Sequence, residues 1–195
     1  RTVAIKVLPE QVSHVGSVEG ERLLREAHAA ARVEHPNVVA LYDIDRAEGR
    51  PFIVMEALDG RTLSAELEED GPLPIDEVWR IWEQVCAALE AVHAAGVVHR
   101  DIKPSNLVRV ENGEIKLVDF GLADDGWGGR LTNTGVFMGT AAYAAPERVR
   151  GEPGDERSDL YSLGCTLYEL LTGRPPFRGD LLAQTYAHVH TEPEP

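Results

Sequence analysis

Cysteine is scarce in this 195-residue chain: Cys86 and Cys165 are the only two, far apart within helical patterns, and they form no CxxC unit. That excludes a disulfide framework and a cysteine-built metal knot, and it fits apolar thiols in a reducing compartment. Basic charge is short as well. Against 33 Asp and Glu there are 19 Lys and Arg, a formal net charge of −14. Such a surface repels nucleic acid and anionic membranes at long range, yet it permits a small basic pocket for a phosphate. No run of about eighteen apolar residues exists, so nothing reads as a bilayer span. No signal peptide is visible, although the chain starts with Arg1 and an upstream targeting segment is left open. The seven histidines make no ligand-spaced cluster; His188 and His190, two apart near the end, read as solvated.

What is present is ordinary for a soluble globular domain, with 43% hydrophobic and 27% charged residues and enough length to bury a core. RTVAIKVLPE (1–10) alternates Val3, Ile5 and Val7 with Ala4, Lys6 and Leu8, which predicts a strand with Lys6 on the face of Ala4. Taken alone, it reads as a surface strand with one solvated lysine. A loop follows to Gly20, then a helix from about Glu21 with Leu23, Leu24, Ala27, Ala30 and Ala31 on one stripe, ended by His35-Pro36-Asn37. VVALYDI (38–44) and PFIVME (51–56) predict two strands around a hairpin turn. The clearest helix spans 73–96, where Ile75, Val78, Trp82, Val85, Leu89 and Val92 recur three or four apart and Gly96 stops the run. Strands at 107–110 and 115–118 flank an Asn-Gly turn. Residues 121–155 look irregular, and an apolar helix (158–173) and the start of another close the chain. Strands cluster before residue 56 and helices after 73, which suggests two lobes.

Four short motifs fall in one order along this frame: VAIK (3–6), HRDIKPSN (99–106), VDFG (118–121) and MGTAAYAAPE (138–147). Together they resemble the catalytic domain of eukaryotic-like protein kinases, through essentially the whole chain. The wording LTNTGVFMGTAAY is most similar to the bacterial Ser/Thr kinases of that family. The resemblance implies an α+β, two-lobed fold, with a truncated β-rich N-lobe over 1–57 and a mainly helical C-lobe over 58–195.

It also implies roles. Asp101 would accept or orient the proton of the substrate hydroxyl, and Lys103 would place a cation on the transferring phosphate. Asn106 and Asp119 would hold Mg²⁺, with Mn²⁺ as an alternative. Lys6 would contact the ATP phosphates, paired with Glu26, or with Glu21 if the helix register slips a turn. Ala4 resembles the small residue packed on adenine, Met55 the residue at the back of the pocket, and Glu56 and Leu58 the backbone contacts to the adenine edge. Arg100 would pair with a phosphate on the activation segment, where Thr132 and Thr134 lie. Thr140 marks the Ser/Thr-specific pattern. Glu147 would anchor the activation segment, and Asp159 would tie the buried helix to the catalytic loop.

Transfer of a γ-phosphoryl group asks a protein mainly for positioning and for neutralisation of spread charge, which these residue types supply. The expected activity is ATP-dependent phosphorylation of protein Ser/Thr hydroxyls, with autophosphorylation in trans between two copies. The expected setting is cytoplasmic, often with a membrane anchor elsewhere in the parent protein. The family's Gly-rich loop precedes the lysine strand and is absent from this sequence, as are most of its final helices. That leaves a non-catalytic, pseudokinase-like or inactive fragment as the alternative, with weak ATP binding expected of the isolated chain. An antibiotic-kinase-like phosphotransferase shares the catalytic Asp and Asn, but the HRDIKPSN wording and the APE segment speak against it.

Overall fold

The alternating run at the start forms β1 (Val3–Val7), which pairs antiparallel with β3 (Arg50–Glu56); β3 also pairs with β2 (Leu41–Ala47), giving the order β1-β3-β2. The computed structural model describes residues 2–7, 26–47, 50–120 and 141–195. The pleat of β1 turns Val3, Ile5 and Val7 outward and leaves Ala4 and Lys6 half-buried. The charged member of this strand thus faces inward. Its register sets Ala4 opposite Met55 and Lys6 opposite Ile53.

Residues 26–30 are helical (α1) and bury Ala27 and Ala30. The strand expected at 38–44 begins later, at Leu41, because residues 37–39 are drawn to the other lobe. Val38 bridges Leu117 in parallel, Val39 N–H donates to the Leu117 carbonyl at 3.0 Å, and Leu117 N–H donates to the Asn37 carbonyl at 2.8 Å. The Asn37 side chain donates to Gln84 and to the Ile115 carbonyl, both at 2.9 Å, so this connection is tied to the large lobe at several points.

A second antiparallel sheet, β4-β5-β6, comprises β4 (Gly60–Thr62), β5 (Leu107–Val110) and β6 (Ile115–Leu117). Gly60 is required there: a Cβ would collide with the Arg109 carbonyl of the neighbouring strand. Neither β4 nor α2 (Leu63–Asp70) was expected from the pattern, since α2 buries only Leu63 and is otherwise polar; the Thr62 hydroxyl caps it by accepting from Ala65 N–H.

α3 (Ile75–Ala94) follows the predicted stripe, burying Val78, Ile81, Val85, Ala88, Leu89 and Val92, and Gly96 beyond it takes a φ of 73°. The segment read as irregular contains a short α4 (Pro146–Val149). α5 (Glu156–Thr172) starts two residues earlier than expected, because Asp155 and Ser158 form a reciprocal capping box. α6 (Leu181–His190) is capped by Asp180. One apolar cluster joins α1, Ile53 of β3, α3, β5, β6 and α5. None of the described helices is long and apolar enough to cross a membrane.

Two imidazoles are buried. His99 is inaccessible, and His188, read from the sequence as solvated, is 4% exposed. Burial pushes both rings below the usual histidine value of 6.5, and for His99 it outweighs the attraction of Asp159, Asp101 and Asp119. Each ring therefore stabilises the fold above pH 6.5 and loses that contribution as the pH falls through its lowered value. NMR titration is expected to place both midpoints below 6.5; a ring titrating at or above that value contradicts the assignment.

Candidate active site

The turn between α3 and β5 carries the polar residues of the HRDIKPSN motif, and a buried carboxylate shapes it. Asp159 of α5 is fully inaccessible and accepts from His99 N–H at 2.8 Å, Arg100 N–H at 2.7 Å and His93 Nε2 at 2.8 Å. These bonds hold Arg100 at φ 66°, a left-handed conformation that a side chain bearing a Cβ rarely takes. His99 completes the turn. Its Nε2 donates to the Val118 carbonyl at 3.1 Å, its Nδ1 accepts from Asp101 N–H at 3.3 Å, and its ring packs on Phe120.

Asp101 emerges from this support with its carboxylate held on two sides. Lys103 Nζ lies 2.9 Å from Oδ2, and Asn106 Nδ2 donates to the same oxygen at 2.8 Å and to the Asp101 carbonyl at 2.8 Å. With its amide nitrogen used in this way, Asn106 has its Oδ1 left to serve as a hard ligand. The Asn106 carbonyl accepts from Val118 N–H at 3.0 Å, which brings the end of β6, and hence Asp119, to the 99–106 turn. Asp119 also adopts a left-handed backbone, φ 58°. One carboxylate and one amide oxygen suit a small hard cation that keeps most of its water, so Asp119 and Asn106 fit Mg²⁺ in chemical type.

The charged pairs differ from the sequence expectation. Lys6 Nζ lies 2.9 Å from Asp119 Oδ1, not on Glu26. Glu26 is bound by Arg100, through Nη1 at 2.6 Å and Nη2 at 3.3 Å. The reason is geometric: the guanidinium presents two N–H groups to both carboxylate oxygens, whereas an ammonium is a point charge that the nearer Asp119 captures. Arg100, expected to receive a phosphate, is engaged by Glu26. Thr132, Thr134, Thr140 and the alternative Glu21 lie outside the described residues.

Met55 stands opposite Ala4 near the end of β3, and Met55 and Leu58 each pack half-buried against the core. Glu56 turns its side chain away from that edge, to Lys116 Nζ at 3.1 Å and Ala40 N–H at 3.2 Å. Glu147 accepts from the Ser158 hydroxyl at 2.6 Å, which ties the APE segment to the start of α5. His93, Lys116 and Ser158 were missed by sequence reasoning; only His93 carried a signal, as a basic residue in the last turn of a helix.

The protein kinase domain model matches residues 1–193, and the chain belongs to that family. It is 42% identical to a probable serine/threonine-protein kinase of Corynebacterium efficiens, over all of this chain and 30% of that protein. It is 45% identical to the serine/threonine-protein kinase PknB of Mycolicibacterium smegmatis and 42% identical to PknB of Mycobacterium tuberculosis, in each case over all of this chain and 32% of the relative. The chain thus spans about a third of the length of these curated relatives.

Asp159→Ala is expected to leave two buried N–H groups without an acceptor and to cost about 3–5 kcal/mol of stability, the scale for breaking a buried charged network. Urea unfolding measures it; a loss below about 1 kcal/mol would show that the catalytic turn does not depend on this carboxylate.

Proposed function

We propose that this chain is the catalytic part of an ATP-dependent protein serine/threonine kinase, built as an N-lobe over 1–57 and a C-lobe over 58–195. The observation that carries the reading is Asp101, its carboxylate held by Lys103 at 2.9 Å and Asn106 at 2.8 Å, on a turn whose strained backbone is pinned from below. In this reading Asp101 orients a Ser or Thr hydroxyl and accepts its proton as the oxygen attacks the γ-phosphorus. Lys103 neutralises charge on the moving phosphoryl group. Lys6 contacts the α/β-phosphates, while Ala4, Met55, Glu56 and Leu58 receive the adenine. A Mg²⁺ at Asp119 and Asn106 would neutralise the phosphates when bound.

The ion pairs support an exchange of partners. The Lys6–Asp119 pair is about 40% exposed on each side and so contributes at most about 1 kcal/mol, which nucleotide phosphates readily replace. Glu26 is then the carboxylate for Lys6, once Arg100 takes another anion. A phosphate on Thr132 or Thr134 would supply that anion, with about −1.5 to −2 charges. Autophosphorylation in trans by a second copy, protein substrates and a cytoplasmic setting belong to the same reading.

Asp101→Asn in the intact protein is expected to lower phosphate transfer from labelled ATP to a protein acceptor by about 10²–10⁴-fold, with nucleotide binding retained. Transfer at a near-normal rate would sink the assignment. Lys6→Ala is expected to raise the KM for ATP more than it changes the KM for the acceptor, and equal changes in both would remove Lys6 from the nucleotide site.

A further inference from the structure

Helix α5 carries more than the catalytic turn. Asp159, Ser162 and Thr166, three and four residues apart, share one face. Asp159 holds the backbone of His99 and Arg100, the Thr166 hydroxyl donates to the Ser162 carbonyl at 2.8 Å and lies 3.4 Å from the Ile102 carbonyl, and the Ser162 hydroxyl donates to the Tyr143 carbonyl at 2.8 Å. The segment 141–143 is therefore held by the same helix face that holds the turn of residues 99–100. In-line transfer puts nucleotide and acceptor on opposite sides of the moving group. The nucleotide side is the Lys6–Asp119 side, which leaves the 141–143 side for the acceptor.

His188 of α6 closes this segment from behind. Its Nδ1 lies 2.8 Å from the Tyr161 hydroxyl of α5, and the Phe177 ring meets it edge-on at 4.8 Å. Its Nε2 is fully buried and has no hydrogen-bond partner among the described residues, and α6 packs against residues 141–143. Burial keeps the ring neutral. With the Tyr161 hydroxyl donating to Nδ1, the ring proton belongs on Nε2. An imidazole held here by the Tyr161 hydroxyl and the Phe177 ring fixes by packing how closely α6 approaches the 141–142 backbone.

We propose that His188 is a positioning residue for the protein acceptor: through the Tyr161 hydroxyl it locks α6 against the backbone of Ala141 and Ala142 and so sets the surface on which the acceptor chain lies. The inference rests on the kinase reading above. It separates acceptor binding from nucleotide binding, because His188 has no contact with the residues assigned to ATP.

The test uses the intact protein with myelin basic protein as a generic acceptor, measuring both KM values, kcat and slow ATP hydrolysis without acceptor. His188→Ala is expected to raise the acceptor KM about five- to tenfold, the scale of one lost hydrogen bond, with the ATP KM and basal hydrolysis within about twofold of the parent. His188→Gln, which restores a donor near the Nε2 position, is expected to recover part of the loss. Tyr161→Phe removes a single oxygen and is expected to shift the acceptor KM in the same direction by a smaller factor; it serves as the deciding variant if His188→Ala does not fold. An unchanged acceptor KM in the folded variants overturns the proposal. So does a parallel loss in both KM values and kcat with no recovery by Gln, which marks His188 as general packing. Absence of any transfer by the parent protein instead overturns the kinase reading itself.

Discussion

The Asp159 carboxylate is the interaction on which the site depends. A fully buried charge is costly unless several donors satisfy it, and here two backbone N–H groups and an imidazole do so. The bonds to His99 and Arg100 offset the strain of a non-glycine residue at φ 66°. That turn in turn points Asp101 outward, seats His99 against Val118 and Phe120, and lets Asn106 reach back to Asp101. Because Ser162 and Thr166 continue the same face, α5 supports the catalytic turn and the 141–143 segment together.

Charge around the 99–106 turn is arranged in ion pairs. Lys6 with Asp119, Arg100 with Glu26, and Lys103 with Asp101 neutralise one another within a strongly acidic protein. The exposed Lys6–Asp119 pair is cheap to separate, while the Arg100–Glu26 fork is more buried and better matched in shape. An incoming polyanion therefore meets cations already placed around this turn. The net charge of −14 repels large nucleic acids, yet it says little about this local region, where three cations are paired.

Much of this was legible in the chain. The stripe of α3, the alternation of β1 and the Asn-Gly turn depend on local periodicity and turn chemistry, which hold whatever surrounds them. Asp101, Lys103 and Asn106 meet as close spacing within one short motif leads one to expect. α2 escaped notice because only Leu63 of its residues is buried, and β4 because a three-residue strand has no periodicity to read. Val38 and Val39 resembled strand but were recruited by β6, a pairing between segments almost eighty residues apart.

The sequence by itself determined which chemical groups this protein owns and the order in which they come: a lysine in a strand, a carboxylate in a turn, a second carboxylate after a hairpin, a polar-capped apolar helix. Only the tertiary structure decided how they pair. Lys6 takes Asp119 and Arg100 takes Glu26, although the sequence pattern suggested Lys6 with Glu26. His188, polar and near a charged end of the chain, was buried by Tyr161, Phe177 and the 141–142 backbone. The physical reason is the same in each case. Ion-pair choice and burial depend on distances across the fold, which a one-dimensional pattern does not contain, whereas periodicity and capping act within a few residues.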